Sequence, residues 1–168
     1  ADLGLAGGDL RAAERTFQLL SQVAGRAGRA ERPGHVLLQT YNSESPVIDA
    51  LVRADREAFL SAEADARRAF GLPPFGRLAA LVVASRDSVA AEEAGKALAR
   101  LSPSSPGVEV FGPAPAPHAV LRGWHRYRLL VKARRDINIQ AFMSAWLPKV
   151  DLPRQVRLKV DIDPYSFL

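Results

Sequence analysis

From Arg77 onward the spacing of apolar residues switches between the two-residue period of a strand and the 3.6-residue period of a helix, and the order of these switches restricts the fold more than any other feature of the chain. The stretch 77–85 reads as a strand and 88–101 as a helix. A loop at 103–107 leads to an extended run at 108–111. The Gly-Pro-Ala-Pro-Ala-Pro tract at 112–117 cannot donate a regular ladder of hydrogen bonds, so it suits only an edge strand or a polyproline-like segment. The runs 119–121 and 127–133 flank Arg122-Gly123-Trp124-His125 as a hairpin, and 136–147 reads as a helix. Finally, Val156, Leu158, Val160 and Ile162 alternate with Arg157, Lys159, Asp161 and Asp163, the pattern of a strand with one buried and one wet face. The order β, α, β, β, α, β is the ferredoxin-like split arrangement, a four-stranded antiparallel sheet with two helices on one face. The expected class is therefore α/β (α+β).

Upstream, Asp9 is an expected N-cap for a helix in which Phe17, Leu20 and Val23 recur at helical spacing, interrupted at Gly25 and Gly28. His35-Val-Leu-Leu-Gln-Thr-Tyr41 reads as a buried strand, followed by a turn at 42–46. Helical stretches are expected at 47–53 and 55–70, the second with Phe59 and Leu60 on one side. Gly71-Leu-Pro-Pro-Phe-Gly76 ends the latter and stiffens a junction. The expected divisions are 1–53, a helical connector at 54–76, and a domain at 77–168. Phe59, Phe75, Phe142 and Trp146 have the spacing of core or junction packing.

Charge separates the two halves. Residues 1–76 carry 9 basic and 10 acidic side chains, a balance of −1, whereas 77–168 carry 14 basic and 8 acidic, a balance of +6. Arg122, Arg126, Arg128, Lys132, Arg134 and Arg135 occur with no acid between them, and Trp124, His125 and Tyr127 are interleaved. Such a cluster is a candidate polyanion surface, with Trp124 able to stack on a base or to pack against a neighbouring domain. A solvated face on a basic protein would read the same way. With 48% apolar residues the chain has material for a core. Its longest apolar run, 78–84, is far below the roughly 20 residues that cross a bilayer. The absence of cysteine excludes a disulfide scaffold, a Cys-ligated zinc site and a thiol nucleophile within these 168 residues. His35, His118 and His125 are scattered and suggest no metal site. The opening Ala-Asp-Leu-Gly-Leu lacks a basic n-region and an apolar signal core, so a cytoplasmic setting is expected.

The sharpest local motif is Gln22-Val-Ala-Gly25-Arg26-Ala-Gly28-Arg29. Two arginines three apart, each after a glycine, leave room for a phosphate against planar guanidinium forks that stay charged at any relevant pH. Flexible basic loops share this composition. The motif resembles motif VI of the superfamily 2 helicases. The longer string Asp9-Leu-Arg-Ala-Ala-Glu-Arg-Thr-Phe-Gln-Leu-Leu-Ser-Gln-Val-Ala-Gly-Arg-Ala-Gly-Arg29 is similar to one branch, the primosomal protein N′ family of replication-restart helicases. The likeness continues through Gly34-His-Val-Leu-Leu-Gln-Thr-Tyr41, Gly71-Leu-Pro-Pro-Phe-Gly-Arg77, Gly112-Pro-Ala-Pro-Ala-Pro117, Tyr127-Arg-Leu-Leu-Val-Lys132 and Val160-Asp-Ile-Asp-Pro-Tyr-Ser-Phe-Leu168, so it spans the chain. Ser43 and Tyr165 depart from the family pattern, which has Pro and Gln there.

The resemblance implies that residues up to about Arg53 end a second RecA-like lobe, incomplete here, and that 77–168 form a DNA-binding domain similar to ribosomal S10-type proteins. It gives Arg26 and Arg29 contact with the ATP γ-phosphate, Arg29 as the arginine finger, and places Gln22, Gly25 and Gly28 in the same cleft. It implies ATP with Mg²⁺ and a structural zinc for a longer parent, whose zinc-binding cysteines would precede Ala1. It implies a monomer that meets branched and single-stranded DNA, the single-stranded-DNA-binding protein and helicase-loading proteins of the primosome, away from membranes. The sequence holds no Gly-x-x-x-x-Gly-Lys-Ser/Thr loop and no Asp-Glu-x-His, so it reads as a C-terminal piece without ATPase activity of its own. Two functions are open at this point: part of an ATP-driven 3′ to 5′ helicase that reloads the replicative helicase at stalled forks, or a DNA- and partner-binding module whose motor has been lost.

Overall fold

The structure is a computed structural model that describes residues 10–27 and 35–164. It divides into two compact units between Ala66 and Arg67.

In the first unit, α1 (Ala12–Ala27), α2 (Pro46–Val52) and most of α3 (Arg56–Ala69) surround a small core of Phe17, Val47, Ala50 and Phe59. The rings of Phe17 and Phe59 stack with centroids 4.3 Å apart. Asp55 starts α3 by accepting the Ala58 N–H at 2.9 Å. Several expectations are corrected here. Helix α1 runs through Gly25 without interruption, because a helix tolerates one glycine at a cost of about 1 kcal/mol. Of the expected apolar stripe, Phe17 is buried but Val23 is exposed, and Leu60 is likewise exposed beside buried Phe59. Adjacent helical residues point about 100° apart, so only one of such a pair reaches the core. The segment 35–40 is not a strand, and Leu37 is 99% exposed. Its apolar run would need neighbouring strands to pair with, and none of the four strands among the described residues does so. Asp9, Gly28 and Arg29 lie outside the described residues.

The second unit contains β1 (Gly76–Ser85), α4 (Ser88–Arg100), β2 (Val108–Leu121), β3 (Trp124–Arg134), α5 (Ile139–Trp146), a 3-10 turn (Leu147–Lys149) and β4 (Arg157–Ile162). The expected βαββαβ order is present. The strands form one antiparallel sheet in the order β2-β3-β1-β4. Asp87 caps α4 by accepting the N–H groups of Val89 at 2.9 Å and Ala90 at 3.3 Å, and Asn138 caps α5 through Ala141 at 2.9 Å. Ala91, Ala94, Gly95 and Leu98 recur at helical spacing on α4, and Ile139, Met143 and Trp146 on α5. These stripes cover Ala79, Leu81 and Val83 of β1 and Leu129, Val131 and Ala133 of β3, which gives the unit its core. Gly95 lets α4 lie close to β2: a Cβ there would come within 2.9 Å of Pro113.

Strand β2 is longer than the expected 108–111. The ladder resumes beyond Gly112 after irregularities between Phe111 and Ala114 and between Pro115 and Val120. As an edge strand, β2 tolerates prolines that lack an N–H. The hairpin turn is only two residues, Arg122 and Gly123, both with positive φ (51° and 77°). That geometry matches the twist of the flanking strands, and it places Trp124 and His125 on β3 rather than at the tip.

Asp163 is exposed, as expected, and it also closes the sheet. Its carboxylate takes the Arg77 Nη2 at 2.7 Å and Nε at 2.9 Å, and also accepts the Leu78 N–H at 3.2 Å. Asp163→Ala should therefore lower the unfolding free energy by about 1–2 kcal/mol in urea titration, whereas Asp161→Ala should stay within about 0.5 kcal/mol of the parent. On α4, the Lys96 ammonium bonds to Glu92 and holds its carboxyl below the ordinary value of 4.5. A lowered folded-state value means a contribution present above pH 4.5 and lost as pH falls through that depressed range. Glu92→Gln should flatten the stability profile below pH 4.5, measured by denaturant midpoints across an acid series, and leave its shape near neutrality unchanged.

Candidate nucleic-acid interface

Alternation along a strand sends successive side chains to opposite faces. Because α4 and α5 cover the face bearing Leu81, Val83, Leu129 and Val131, the even-numbered residues of β1 and β3 lie on the other one. The strand register then fixes which side chains stand abreast. Ala84 pairs with Arg126 on one side and Arg157 on the other, and Val82 pairs with Arg128 and Lys159. Two successive rungs thus read cation, small apolar residue, cation. At about 4.8 Å per strand, the flanking rows lie about 10 Å apart across a low floor. The next rung is different in kind, with Ala80 between Leu130 and Asp161. At the far end of the face, Arg68, Phe75, Glu109 and Lys132 line a common depression.

Local pairing divides the expected DNA-binding residues into two groups. Lys132 bonds Glu109 across β2 and β3 at 2.8 Å and lies 5.7 Å from the Phe111 ring centroid. Arg134 bonds Asp136 at 2.6 Å. The Arg134 guanidinium holds the Asp136 carboxyl below its ordinary range, and Asp136 in turn raises the arginine. Arg135 is exposed in the turn after β3, and Arg122 in the hairpin turn. His125 pairs with buried Ser85 and so shares the helix-covered side, apart from the cation rungs. Arg126 forms no ion pair among the described residues. The structure therefore gathers Trp124, Arg126 and Arg128 on one face, sets Lys132 and Arg134, each paired with an acid, toward its other end, and leaves Arg122, His125 and Arg135 aside.

It also adds cations that sequence reasoning missed. Arg157 and Lys159 join the face from β4, and Arg86 follows β1 at the same end as Trp124. The alternation of Arg157 and Lys159 with apolar residues marked them as solvent-facing, but only register shows that they face Arg126 and Arg128.

Of the nucleotide-contacting residues implied by the helicase resemblance, Gln22, Gly25 and Arg26 occupy the exposed last turns of α1. The chain has no phosphate-cradling glycine-lysine loop, so these residues do not make a nucleotide site by themselves. Nor do the described residues hold a cluster of three or more His, Asp or Glu able to bind a metal, and the chain has no cysteine to supply a zinc site. No helix among the described residues is long and apolar enough to cross a membrane.

Comparison with known proteins bears on this unit directly. The family model described as the primosomal protein N C-terminal domain matches residues 68–165. The chain is 38% identical over 167 residues to the replication restart protein PriA of Rickettsia felis, covering 99% of this chain and 26% of that protein. It is 32% identical over 165 residues to the protein of the same name from Bacillus subtilis, covering 95% of this chain and 20% of the relative. For that of Haemophilus influenzae the identity is 35% over 159 residues, with coverage of 93% and 22%. The chain thus spans about a quarter of the length of these relatives. With a family match over most of the second unit and relatives aligned along nearly the whole sequence, the chain belongs to the primosomal protein N family of replication restart proteins.

Proposed function

We propose that the chain supplies the DNA-holding part of a replication-restart helicase, with the sheet face opposite α4 and α5 as its DNA surface. The observation that carries this reading is the pair of rungs Arg126–Ala84–Arg157 and Arg128–Val82–Lys159, which concentrates four cations on one shallow face. Phosphate contacts of this kind provide affinity without reading sequence, which suits a protein that acts wherever a fork stalls. Small residues between the rows let a backbone approach, and arginine meets phosphate oxygens bidentately.

In the whole protein, this face would hold stalled or branched forks while ATP-driven 3′ to 5′ unwinding prepares the strand on which the replicative helicase is reloaded. Primosome proteins and the single-stranded-DNA-binding protein are the partners proposed for that setting, in the bacterial cytoplasm. Arg26 and Arg29 are proposed to contact nucleotide phosphate there, and Gln22, Gly25 and Gly28 to line the same cleft.

Fluorescence anisotropy with a labelled single-stranded oligonucleotide tests the surface. Arg126→Glu combined with Lys159→Glu should weaken binding at least tenfold and flatten the plot of log affinity against log salt by about 0.7 for each phosphate no longer neutralised. Arg134→Ala, already neutralised by Asp136, should change affinity less than twofold; equal losses from both variants would refute the assignment. In the full-length protein, Arg29→Ala should lower DNA-stimulated ATP turnover by about 10³-fold or more and leave DNA affinity nearly intact. A parallel fall in both would contradict the finger assignment.

A further inference from the structure

At one end of the proposed DNA face, Ser85, Arg86, Asp87, Trp124, Arg154, Gln155 and Arg157 line a shallow depression of about 440 Å³. We propose that this depression is a subsite for an internal phosphodiester of single-stranded DNA. Arg86, Arg154 and Arg157 bind the phosphate, and Trp124 serves as the seat that orients Arg157 rather than as a platform for a base. The inference rests on the reading of the sheet face as a DNA surface and assigns three arginines outside the 122–135 cluster.

Three features support it. First, three arginines line one depression and none of them forms an ion pair among the described residues. Among the described lining residues the one acid, Asp87, caps α4 by accepting the Val89 and Ala90 N–H groups. Three cations against one carboxylate leave a surplus of positive charge, which favours binding of an anion.

Second, the Arg157 guanidinium carbon lies 4.1 Å from the Trp124 ring centroid, and that of Arg86 lies 5.6 Å from it. Both fall within the distance at which a cation is held by the negative face of an aromatic ring. A guanidinium lying on an indole keeps its N–H donors at its edge, where they remain available to a phosphate. The ring surface occupied by Arg157 is correspondingly not open to a base.

Third, Arg157 belongs to the depression and to the first cation rung, beside Ala84 and Arg126. A strand lying along the rungs brings its backbone to Arg157. This continuity selects phosphodiester over an isolated carboxylate or free anion.

The test uses the 168-residue chain and anisotropy with two oligonucleotides, one lacking terminal phosphates and one 5′-phosphorylated. With the unphosphorylated strand, Arg157→Lys, which loses the bidentate fork but keeps the charge, and Arg154→Ala should each weaken binding about 5-fold, and Arg154→Ala should also lower the salt slope by about 0.7. Trp124→Phe should remain within twofold of the parent, since phenylalanine also seats a cation. Trp124→Leu should reproduce the Arg157→Lys loss, and combining the two should weaken binding no further than either alone. Further weakening in the combined variant would mean that Trp124 touches DNA itself and would overturn the seat assignment. Losses confined to the 5′-phosphorylated strand would overturn the internal phosphodiester. If Arg126→Glu with Lys159→Glu abolishes binding while Arg154→Ala and Arg157→Lys have no effect, the subsite is wrong and the sheet-face reading stands. If none of these variants affects binding, the sheet-face reading fails as well.

Discussion

The second unit depends on the double pairing of β1. As an interior strand it hydrogen-bonds β3 along one edge and β4 along the other, and its alternating side chains commit one face to the core and the other to solvent. A slip of one residue in either pairing would send Leu81 and Val83 out of the core and invert the faces, so burial of these side chains fixes the register. The same register sets the cations of β3 and β4 abreast. The Arg77–Asp163 contact ties the two ends of this arrangement together, joining the start of β1 to the residue that follows β4.

Local neutralisation then shapes the field more than the count of basic residues does. Lys132 and Arg134, in the middle of the sequence cluster, have acidic partners, whereas Arg126 and the β4 cations stand in none of the ion pairs among the described residues. The positive potential is consequently weighted toward the Trp124 end of the face. Exposed pairs such as Arg134–Asp136 add little to stability. Their effect is to remove a cation from the surface available to a polyanion.

Much of the fold was legible because strands and helices there carry strong local signals. The alternation at 156–163 and the changes of spacing that set off 77–85, 88–101 and 136–147 each point to the element found. The run 35–41 misled because an apolar stretch carries the composition of a buried strand whether or not partners pair with it. The tract at 112–117 concealed the length of β2, since prolines at an edge forgo only the hydrogen bonds that the edge does not need. The basic cluster was visible as composition, but its useful members were not. Whether Arg126 faces Arg157, and whether Lys132 meets Glu109, are properties of pairing between distant segments that no local window contains. The motif at 22–29 was carried by a resemblance, and its Gly28 and Arg29 lie outside the described residues.

The central claim is that DNA lies on the face opposite α4 and α5. Methyl-resolved NMR of the chain during titration with single-stranded DNA tests this most directly, because the floor of the proposed groove is made of methyl-bearing residues. The account predicts saturable shifts at Ala84, Val82 and Ala80, with little change at Val83, Val131 and Met143 across the sheet. Shifts confined to the helix-covered side, or to the turn bearing Arg134 and Arg135, would contradict it.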